Sequence, residues 1–372
     1  MIYLDHNATT PIDERVVEAM LPYLKSFYGN PSGLYRLARL SRGAIDAARD
    51  HIAALAGAKA SEVIFTSGGT EANNLALKGM GFSLKPATLI SGSTEHPSVS
   101  KPLKHLETRG WGLQYLPASQ TGLPELSALD ELKPRQGDIG TLMLANNETG
   151  VVHDTRPLAD RLREAGAFLH VDAVQAAGKM PVNFSATGAH TLTLSSHKIY
   201  GPKGVGALIA DRSAPIEPLL HGGGQEQGRR GGTENVAGIV GFGKAAELAL
   251  NELEHRNNQS LMLRRQLEAG LQSLPGVTLF AAHEQRLPNT AQFSVPGFDG
   301  ESLVMHLDRL GFAVSSGSAC ASSGNQPSPV LLAMGVDEDT ARGAIRISFG
   351  RGNTSEEVNQ FIEALKSLMT SH

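Results

Sequence analysis

Two side chains of opposite charge follow apolar, strand-like segments of the sequence. Asp172 ends the segment AFLHVD, and Lys198 comes just after TLTLSS, 26 residues further on. A carboxylate at the end of a buried strand is unfavourable unless a cation or hydrogen-bond donors accompany it. A lysine in such a place can serve as a nucleophilic amine. Taken alone, Asp172 could equally be a structural N-cap and Lys198 a surface lysine, so neither residue decides the function by itself.

A candidate phosphate site precedes this pair in the chain. The segment TSGGTEANN (66–74) joins an apolar strand pattern to a helical one, and Thr70 lies at that junction. Backbone N–H groups and the dipole at a helix start favour a phosphate there. His96 follows the next strand pattern, where its ring could stack on a bound group, although both Thr70 and His96 could also be capping or turn residues. With Asp172 and Lys198, the set is typical of pyridoxal 5'-phosphate (PLP) chemistry.

Alternating strand and helix patterns predict how these residues are positioned. Helical patterns (70–80, 98–109, 155–165) separate apolar segments at 62–67, 87–92, 140–146, 167–172, 191–196 and 204–210. This alternation predicts an α/β fold with a doubly wound, mostly parallel sheet. The candidate residues would then converge at the carboxyl ends of the strands, where such sheets bind ligands.

The pattern changes in the last third of the chain. A long helical region (234–273), broken around Asn257–Asn258, is followed by strand patterns in AQFSVP, FAVSS and AIRISFG and by helical patterns at 300–310 and 355–370. These segments predict a smaller α+β domain. We expect a large domain at 15–255 and a small domain formed by 1–14 and 256–372.

Composition excludes several classes of protein. The formal charge of −4 is too small to favour nucleic acid or an anionic membrane as a partner, and a single cysteine excludes intrachain disulfides and cysteine-cluster zinc sites. The N-terminal residues lack the pattern of a signal peptide, and no apolar segment has the length of a membrane span. We therefore expect a cytoplasmic protein without a metal site.

Two further motifs match known sites only in part. GIVGFGKA (238–245) has the glycine and lysine spacing of a phosphate loop, but Ala245 stands where such loops need Ser or Thr, and no strand precedes it. HGGG (221–224) is similar to an esterase oxyanion loop, but the chain has no Gly-x-Ser-x-Gly segment. We interpret the first motif as the glycine-rich start of a helix and assign no esterase activity to the second.

The only cysteine, Cys320, lies in VSSGSACASSGNQPS (314–328), a segment rich in Ser and Gly. A lone cysteine is usually a small buried hydrophobic residue, whereas this composition is typical of a flexible, solvated loop. On composition alone, a spare surface thiol is the simplest interpretation. A nucleophile on a moving loop is the functional alternative.

The motifs together resemble those of cysteine desulfurases of the NifS/IscS type, in the class V aminotransferase group of PLP-dependent fold type I enzymes. The resemblance runs from LDHNATTP (4–11) through SGGTEANN, EHPSV, NNETG, HVDAVQ, SSHKIYGPKG, HGGGQEQGRRGGTEN and SSGSACAS to RISFGR (346–351). It departs at Ser196, where the family usually has Gly, and at Gly33, Arg36 and Arg39, where it usually has Ser, His and Gly. The resemblance implies a PLP-dependent transferase fold with a seven-stranded sheet and a smaller domain.

The resemblance also implies a role for each candidate residue. Lys198 would bind PLP covalently, Asp172 would pair with the ring nitrogen, Gln175 would bond the phenolic oxygen, and His96 would stack on the ring and help move protons. Gly69, Thr70, Ser195 and His197 would hold the phosphate. Thr233 would reach the phosphate of a neighbouring subunit, which implies a homodimer. Arg351 would bind the substrate carboxylate, with Asn147 beside substrate and cofactor.

By the same resemblance, Cys320 would take sulfur from L-cysteine as a persulfide, releasing L-alanine, and pass it to an acceptor protein. Iron–sulfur cluster assembly, tRNA thiolation, DNA modification and cofactor synthesis all remain open as destinations. A selenocysteine lyase or an aminotransferase of the same fold is the alternative within this class. A non-catalytic protein that kept the fold is the alternative from another class.

Overall fold

The computed structural model describes residues 1–317 and 326–371, so Cys320 lies outside the described residues. Eight strands lie within residues 1–210: β1 Ile2–Tyr3, β2 Val63–Thr66, β3 Thr88–Gly92, β4 Gly112–Leu116, β5 Ile139–Thr141, β6 Phe168–Asp172, β7 Thr191–Ser195 and β8 Gly206–Ala210. The others are β9 Thr278–Leu279, β10 Thr290–Ser294, β11 Phe312–Ala313, β12 Ser315–Ser316 and β13 Ala344–Ser348.

Seven strands form the central sheet in the order β2-β8-β7-β6-β5-β3-β4. Strand β8 pairs antiparallel with β2 and β7, and the other four pairings are parallel. The predicted α/β fold with a mostly parallel seven-stranded sheet is confirmed. All five residues of β7 and of β8 are buried, as expected for strands covered on both faces.

Thirteen α-helices are described, and the earlier ones pack against the central sheet. Those of the first part are α1 Glu14–Lys25, α2 Arg36–Ala56, α3 Gly69–Ser83, α4 Pro97–Glu107, α5 Leu129–Leu132, α6 Arg156–Glu164, α7 Phe184–Thr187 and α8 Val236–Asn251. The rest are α9 Leu253–Gln272, α10 Gly300–Arg309, α11 Pro329–Ala333, α12 Glu338–Arg342 and α13 Ser355–Ser371. Of the helices that the structure describes, none is long and apolar enough to cross a membrane.

The partial phosphate-loop motif lies inside α8, and its glycines serve helix packing. A Cβ atom at Gly243 would lie 2.6 Å from Cα of Ala48 in α2, and one at Gly241 would lie 2.6 Å from Sδ of Met20 in α1. Contacts this short leave room only for hydrogen at these positions. The glycines therefore let α8 pack closely on α1 and α2, in agreement with the helical interpretation of this motif.

A second sheet, in the order β12-β13-β10-β9, is antiparallel, and β1 pairs with β11 beside it. Its apolar cluster is separate from that of the central sheet, and it includes Leu4 together with side chains of α9, α10 and α13. The N-terminal residues therefore pack with the C-terminal part of the chain. The domain boundaries at 14/15 and 255/256 stay a prediction.

Two predicted elements differ from the structure. The helical region breaks at Glu252 rather than at Asn257–Asn258, which lie inside α9. Asn has a weak helix propensity, but packing against a core overrides such small differences: Leu263, Leu267 and Leu271 of α9 lie in the second cluster. The segment predicted as a strand at 140–146 forms a strand only at Ile139–Thr141. Beyond it, the backbone N–H groups of Leu142 and Leu144 still donate to the carbonyl oxygens of His170 and Asp172 in β6.

Candidate active site

A cavity of about 280 Å³ lies at the carboxyl edge of the central sheet. The parallel strands end there, and α3 and α4 begin there, so loops from distant parts of the sequence meet. Nine of the residues singled out from the sequence line this cavity: Gly69, Thr70, His96, Asn147, Asp172, Gln175, Ser195, His197 and Lys198. A larger cavity of about 490 Å³, at the opposite edge of the sheet, is lined by none of them.

Lys198 lies on a short 3-10 turn, Ser196–Lys198, directly after β7. Its Nζ atom donates hydrogen bonds to the carbonyl oxygens of Asn7 at 2.6 Å and Ala8 at 2.7 Å. The N-terminal segment therefore lies at the carboxyl edge of the central sheet and holds the Lys198 amine at the cavity. A lysine anchored beside a cavity in this way can present its amine to a carbonyl group of a bound molecule.

Asp172 is the last residue of β6, and its carboxylate is held at both oxygens. Oδ2 accepts a hydrogen bond from Nδ2 of Asn73 at 2.8 Å, and Oδ1 accepts one from the backbone N–H of Val174 at 2.9 Å. His170 in turn contacts Oδ1 of Asn73 through Nε2 at 3.0 Å. Sequence reasoning missed Asn73 and His170, although both stand within the quoted motifs. Together, Asn73 and His170 fix the orientation of the Asp172 side chain, which lines the cavity.

His96 is the N-cap residue of α4. Its Nδ1 atom accepts a hydrogen bond from the backbone N–H of Ser98 at 3.1 Å, so the neutral ring carries its proton on Nε2. Burial, and secondarily the charge of Lys198, lower the pKa of His96, while Asp172 acts in the opposite direction. The ring is therefore neutral at neutral pH.

The residues present fit PLP. Ser195 Oγ is buried and has no hydrogen-bond partner among the described residues, although it lines the cavity. Gly69 and Thr70 belong to the first turn of a 15-residue helix, whose leading N–H groups have no partner inside the helix. A phosphate here would meet the helix start and the Ser195 hydroxyl, while Lys198 and Asp172 lie on the same cavity wall.

Glu95 is a buried carboxyl group beside this site that sequence reasoning did not select. Its Oε1 atom accepts a hydrogen bond from the backbone N–H of Met143 at 2.6 Å, and its Oε2 has no partner among the described residues. Burial, and then the negative charge of Asp172, raise its pKa well above the ordinary value. Burial next to Asp172 therefore favours the uncharged form of Glu95.

The two arginines of RISFGR lie in different places. Arg346, on β13, lines the cavity, donates to the carbonyl oxygen of Asn147 at 2.9 Å and forms an ion pair with Asp5 at 2.6 Å, and its Nε is buried without a partner among the described residues. Arg351 does not line the cavity. It pairs with Asp13, and its guanidinium lies 5.0 Å from the Tyr200 ring centre.

The structure therefore places Arg346, rather than Arg351, at the cavity, and the carboxylate-binding role of Arg351 stays a prediction. In β13, Ile345 and Ile347 are core residues, and Arg346 between them lies on the other face of the strand. Arg351 follows the end of the strand, where no alternation directs it to the cavity. The alternation of side chains between the two faces of the predicted strand was therefore the sequence pattern that could have identified Arg346.

Thr233 and Cys320 complete the set predicted from the sequence. Thr233 is exposed and does not line the cavity of its own chain. Its neighbour Glu234 pairs with Arg42 of α2 at 2.6 Å, which places this segment beside α2. Cys320 is outside the described residues, but Gly317 and Ser328 on either side of that segment are described. A Cβ atom at Gly317 would lie 3.4 Å from Cβ of Ser328.

The chain is similar to known proteins over almost its whole length. The family model for class-V aminotransferases matches residues 2–361. The chain is 42% identical to a protein of Dictyoglomus turgidum named cysteine desulfurase IscS, over 99% of this chain and 94% of the relative. A solved structure named NifS-like protein is 35% identical, with a TM-score of 0.93 and complete coverage of both chains. A structure described as SspA in complex with cysteine is 33% identical, with a TM-score of 0.81 over 95% of this chain and all of that one.

Proposed function

Because this chain belongs to the cysteine desulfurases of the class-V aminotransferase family, we propose that it is a PLP-dependent L-cysteine desulfurase that uses Lys198, Asp172 and Cys320. The observation that carries the proposal is the convergence of Lys198, Asp172 and His96 on one cavity that also holds an arginine, Arg346. The resemblance seen in the sequence is confirmed at the level of the family.

We assign the roles from the contacts of each residue. Lys198 would hold the cofactor covalently, Asp172 would pair with its ring nitrogen, and Gly69, Thr70, Ser195 and His197 would hold its phosphate. When bound, PLP supplies an electron-withdrawing ring that stabilises negative charge on the substrate. Hydrogen bonds from Asn73 and from the Val174 N–H hold the Asp172 side chain in one orientation, as a partner of a ring nitrogen requires. The neutral His96 ring can lie against the cofactor and donate from Nε2.

The proposed reaction is balanced in atoms and electrons. The C–S bond of L-cysteine breaks, and the sulfur forms an S–S bond with the Cys320 sulfur. Sulfur loses two electrons to the substrate Cβ, which gains a proton and becomes the methyl group of L-alanine, while the Cys320 thiol loses one proton. The persulfide would then pass to a thiol of an acceptor protein.

An assay of products tests this function. With L-cysteine and a thiol reductant, the PLP-loaded protein should release alanine and sulfide in equal amounts. Release of selenide from selenocysteine without sulfide from cysteine would favour a lyase, and formation of a keto acid would favour an aminotransferase. A colourless, inactive protein after addition of PLP would favour the non-catalytic alternative.

We predict that Arg346→Lys raises the KM for L-cysteine about tenfold or more. Lysine keeps the charge beside Asp5 but lacks the planar fork that binds a carboxylate through two hydrogen bonds. Steady-state kinetics of alanine release measure the change. Arg351→Lys is the matched control, since Arg351 lies outside the cavity, and its KM should stay near that of the parent. A raised KM in Arg351→Lys together with an unchanged KM in Arg346→Lys would instead assign the binding of the substrate carboxylate to Arg351.

We also propose a homodimer in which Thr233 completes the phosphate site of the partner. The segment before α2 carries exposed apolar side chains: Leu34 is 89% exposed and Tyr28 is 78% exposed. Such a surface is typical of an interface. The Arg42–Glu234 ion pair links α2 to the Thr233 segment.

Mixed dimers test this arrangement. When Thr233→Ala and Lys198→Ala subunits combine, one site receives both substitutions and the other receives neither. We therefore expect heterodimers to recover about half of the parent activity, although each homodimer is impaired. Size-exclusion chromatography with light scattering gives the oligomeric state. A stable, fully active monomer would refute the shared site.

A further inference from the structure

A second lysine, Lys179, is buried behind the cavity and has no part in the roles assigned above. Its Nζ atom donates hydrogen bonds to Oδ1 of Asn7 at 2.8 Å and to Oε1 of Gln175 at 2.5 Å. Only 9% of Lys179 is exposed. Among the described residues, no carboxylate lies within ion-pair distance of its Nζ. A charged lysine that is buried with only neutral oxygens as partners is unfavourable, so a role at this site would account for it.

Lys179 fixes the direction of two side-chain amides. The Lys179 Nζ atom donates both hydrogen bonds, so the atoms that face it are the oxygens of Asn7 and Gln175. The nitrogen of each amide must then face elsewhere: Nε2 of Gln175 donates to the carbonyl oxygen of Asn7 at 2.9 Å, and Nδ2 of Asn7 donates to Oγ1 of Thr290 at 2.9 Å. Gln175 lines the cavity, so it meets a bound molecule as a hydrogen-bond donor.

Asn7 also connects the two lysines. Lys179 binds its side-chain oxygen, and Lys198 binds its backbone oxygen. Burial, and then the positive charges of Lys198 and Arg346, lower the pKa of Lys179 well below the ordinary value. A positive charge on either of these two amines disfavours protonation of the other. A neighbouring cation is one of the ways in which a lysine is made nucleophilic.

We propose that Lys179 is a positioning residue that orients Gln175 toward the cofactor and, when it carries its proton, favours the unprotonated form of the Lys198 nitrogen. This inference rests on the proposed function, in which Lys198 carries PLP. The other groups that face this pair are Arg346 on β13, Asp172 after β6, and the imidazoles of His6, His96 and His197. All of them stay in place when Lys179 alone is changed.

The test compares Lys179→Met, which keeps the length of the side chain without charge, with Lys179→Arg, which keeps the charge. Both are purified with PLP, and the visible absorbance of the covalently bound cofactor is followed against pH. Removing a positive neighbour favours protonation, so the spectral midpoint of Lys179→Met should move to higher pH by about one unit. Lys179→Arg should stay closer to the parent. Thermal unfolding reports whether each variant is folded.

The outcomes separate this inference from the proposed function. If the parent carries no PLP on Lys198, the proposed function fails. If the parent carries PLP there but folded Lys179→Met keeps the midpoint of the parent, the electrostatic role of Lys179 is refuted. If Lys179→Met does not fold, Lys179→Gln provides a polar, uncharged variant in which the same upward shift is expected, and an unchanged midpoint there would overturn the inference.

Discussion

The variant Lys198→Ala is expected to lose covalently bound PLP and to retain less than about a thousandth of the parent activity. The amine lies at the cavity, held by the carbonyl oxygens of Asn7 and Ala8, and alanine supplies no nucleophile. Borohydride reduction followed by peptide mass spectrometry should place the cofactor on Lys198 in the parent. No reduced adduct should form in the variant.

Lys203 gives a matched control for this result. It is an exposed lysine five residues further along the chain and does not line the cavity. Lys203→Ala should therefore keep both the adduct and the activity. A trapped adduct on another lysine in the parent protein would exclude Lys198 as the cofactor-binding residue.

The variant Cys320→Ser is expected to bind PLP and L-cysteine but to release almost no alanine or sulfide. Serine keeps the size and polarity of the side chain but is a far weaker nucleophile than a thiolate. Binding of cofactor and substrate depends on Lys198 and Arg346, which are unchanged, so the absorbance of the cofactor should still respond to L-cysteine. Ser318→Ala, a change in the same segment that removes no thiol, is the control and should keep most of the activity.

The two variants distinguish different failures. Loss of activity in Lys198→Ala together with normal turnover in Cys320→Ser would keep the PLP chemistry and remove the persulfide step. The lyase or aminotransferase interpretation would then replace the desulfurase.

The sequence predicted the sheet and much of the cavity because both follow from local patterns. Buried strands are short apolar segments, and the residues that follow them converge once the strands are parallel. Asp172 and Lys198 could be found in this way, since each stands at the end of such a segment. The positions of the strands therefore predicted more of the site than any single motif did.

What the sequence did not predict depends on contacts between distant segments. Asn7 lies near the N-terminus, yet it contacts both Lys179 and Lys198. No spacing rule connects these positions, because the pairing of β1 with β11 and the ion pair of Asp5 with Arg346 hold the N-terminal segment in place. The motif RISFGR contains both Arg346 and Arg351, and only the packing shows which of them lines the cavity.

The central claim is that Cys320 receives sulfur from L-cysteine, and mass spectrometry of the parent protein tests it most directly. The PLP-loaded protein is exposed briefly to L-cysteine without reductant, alkylated and digested. We predict one additional sulfur atom on the peptide that contains Cys320, absent after treatment with a reductant and absent in Lys198→Ala. Alanine release with no added sulfur on that peptide would contradict the claim.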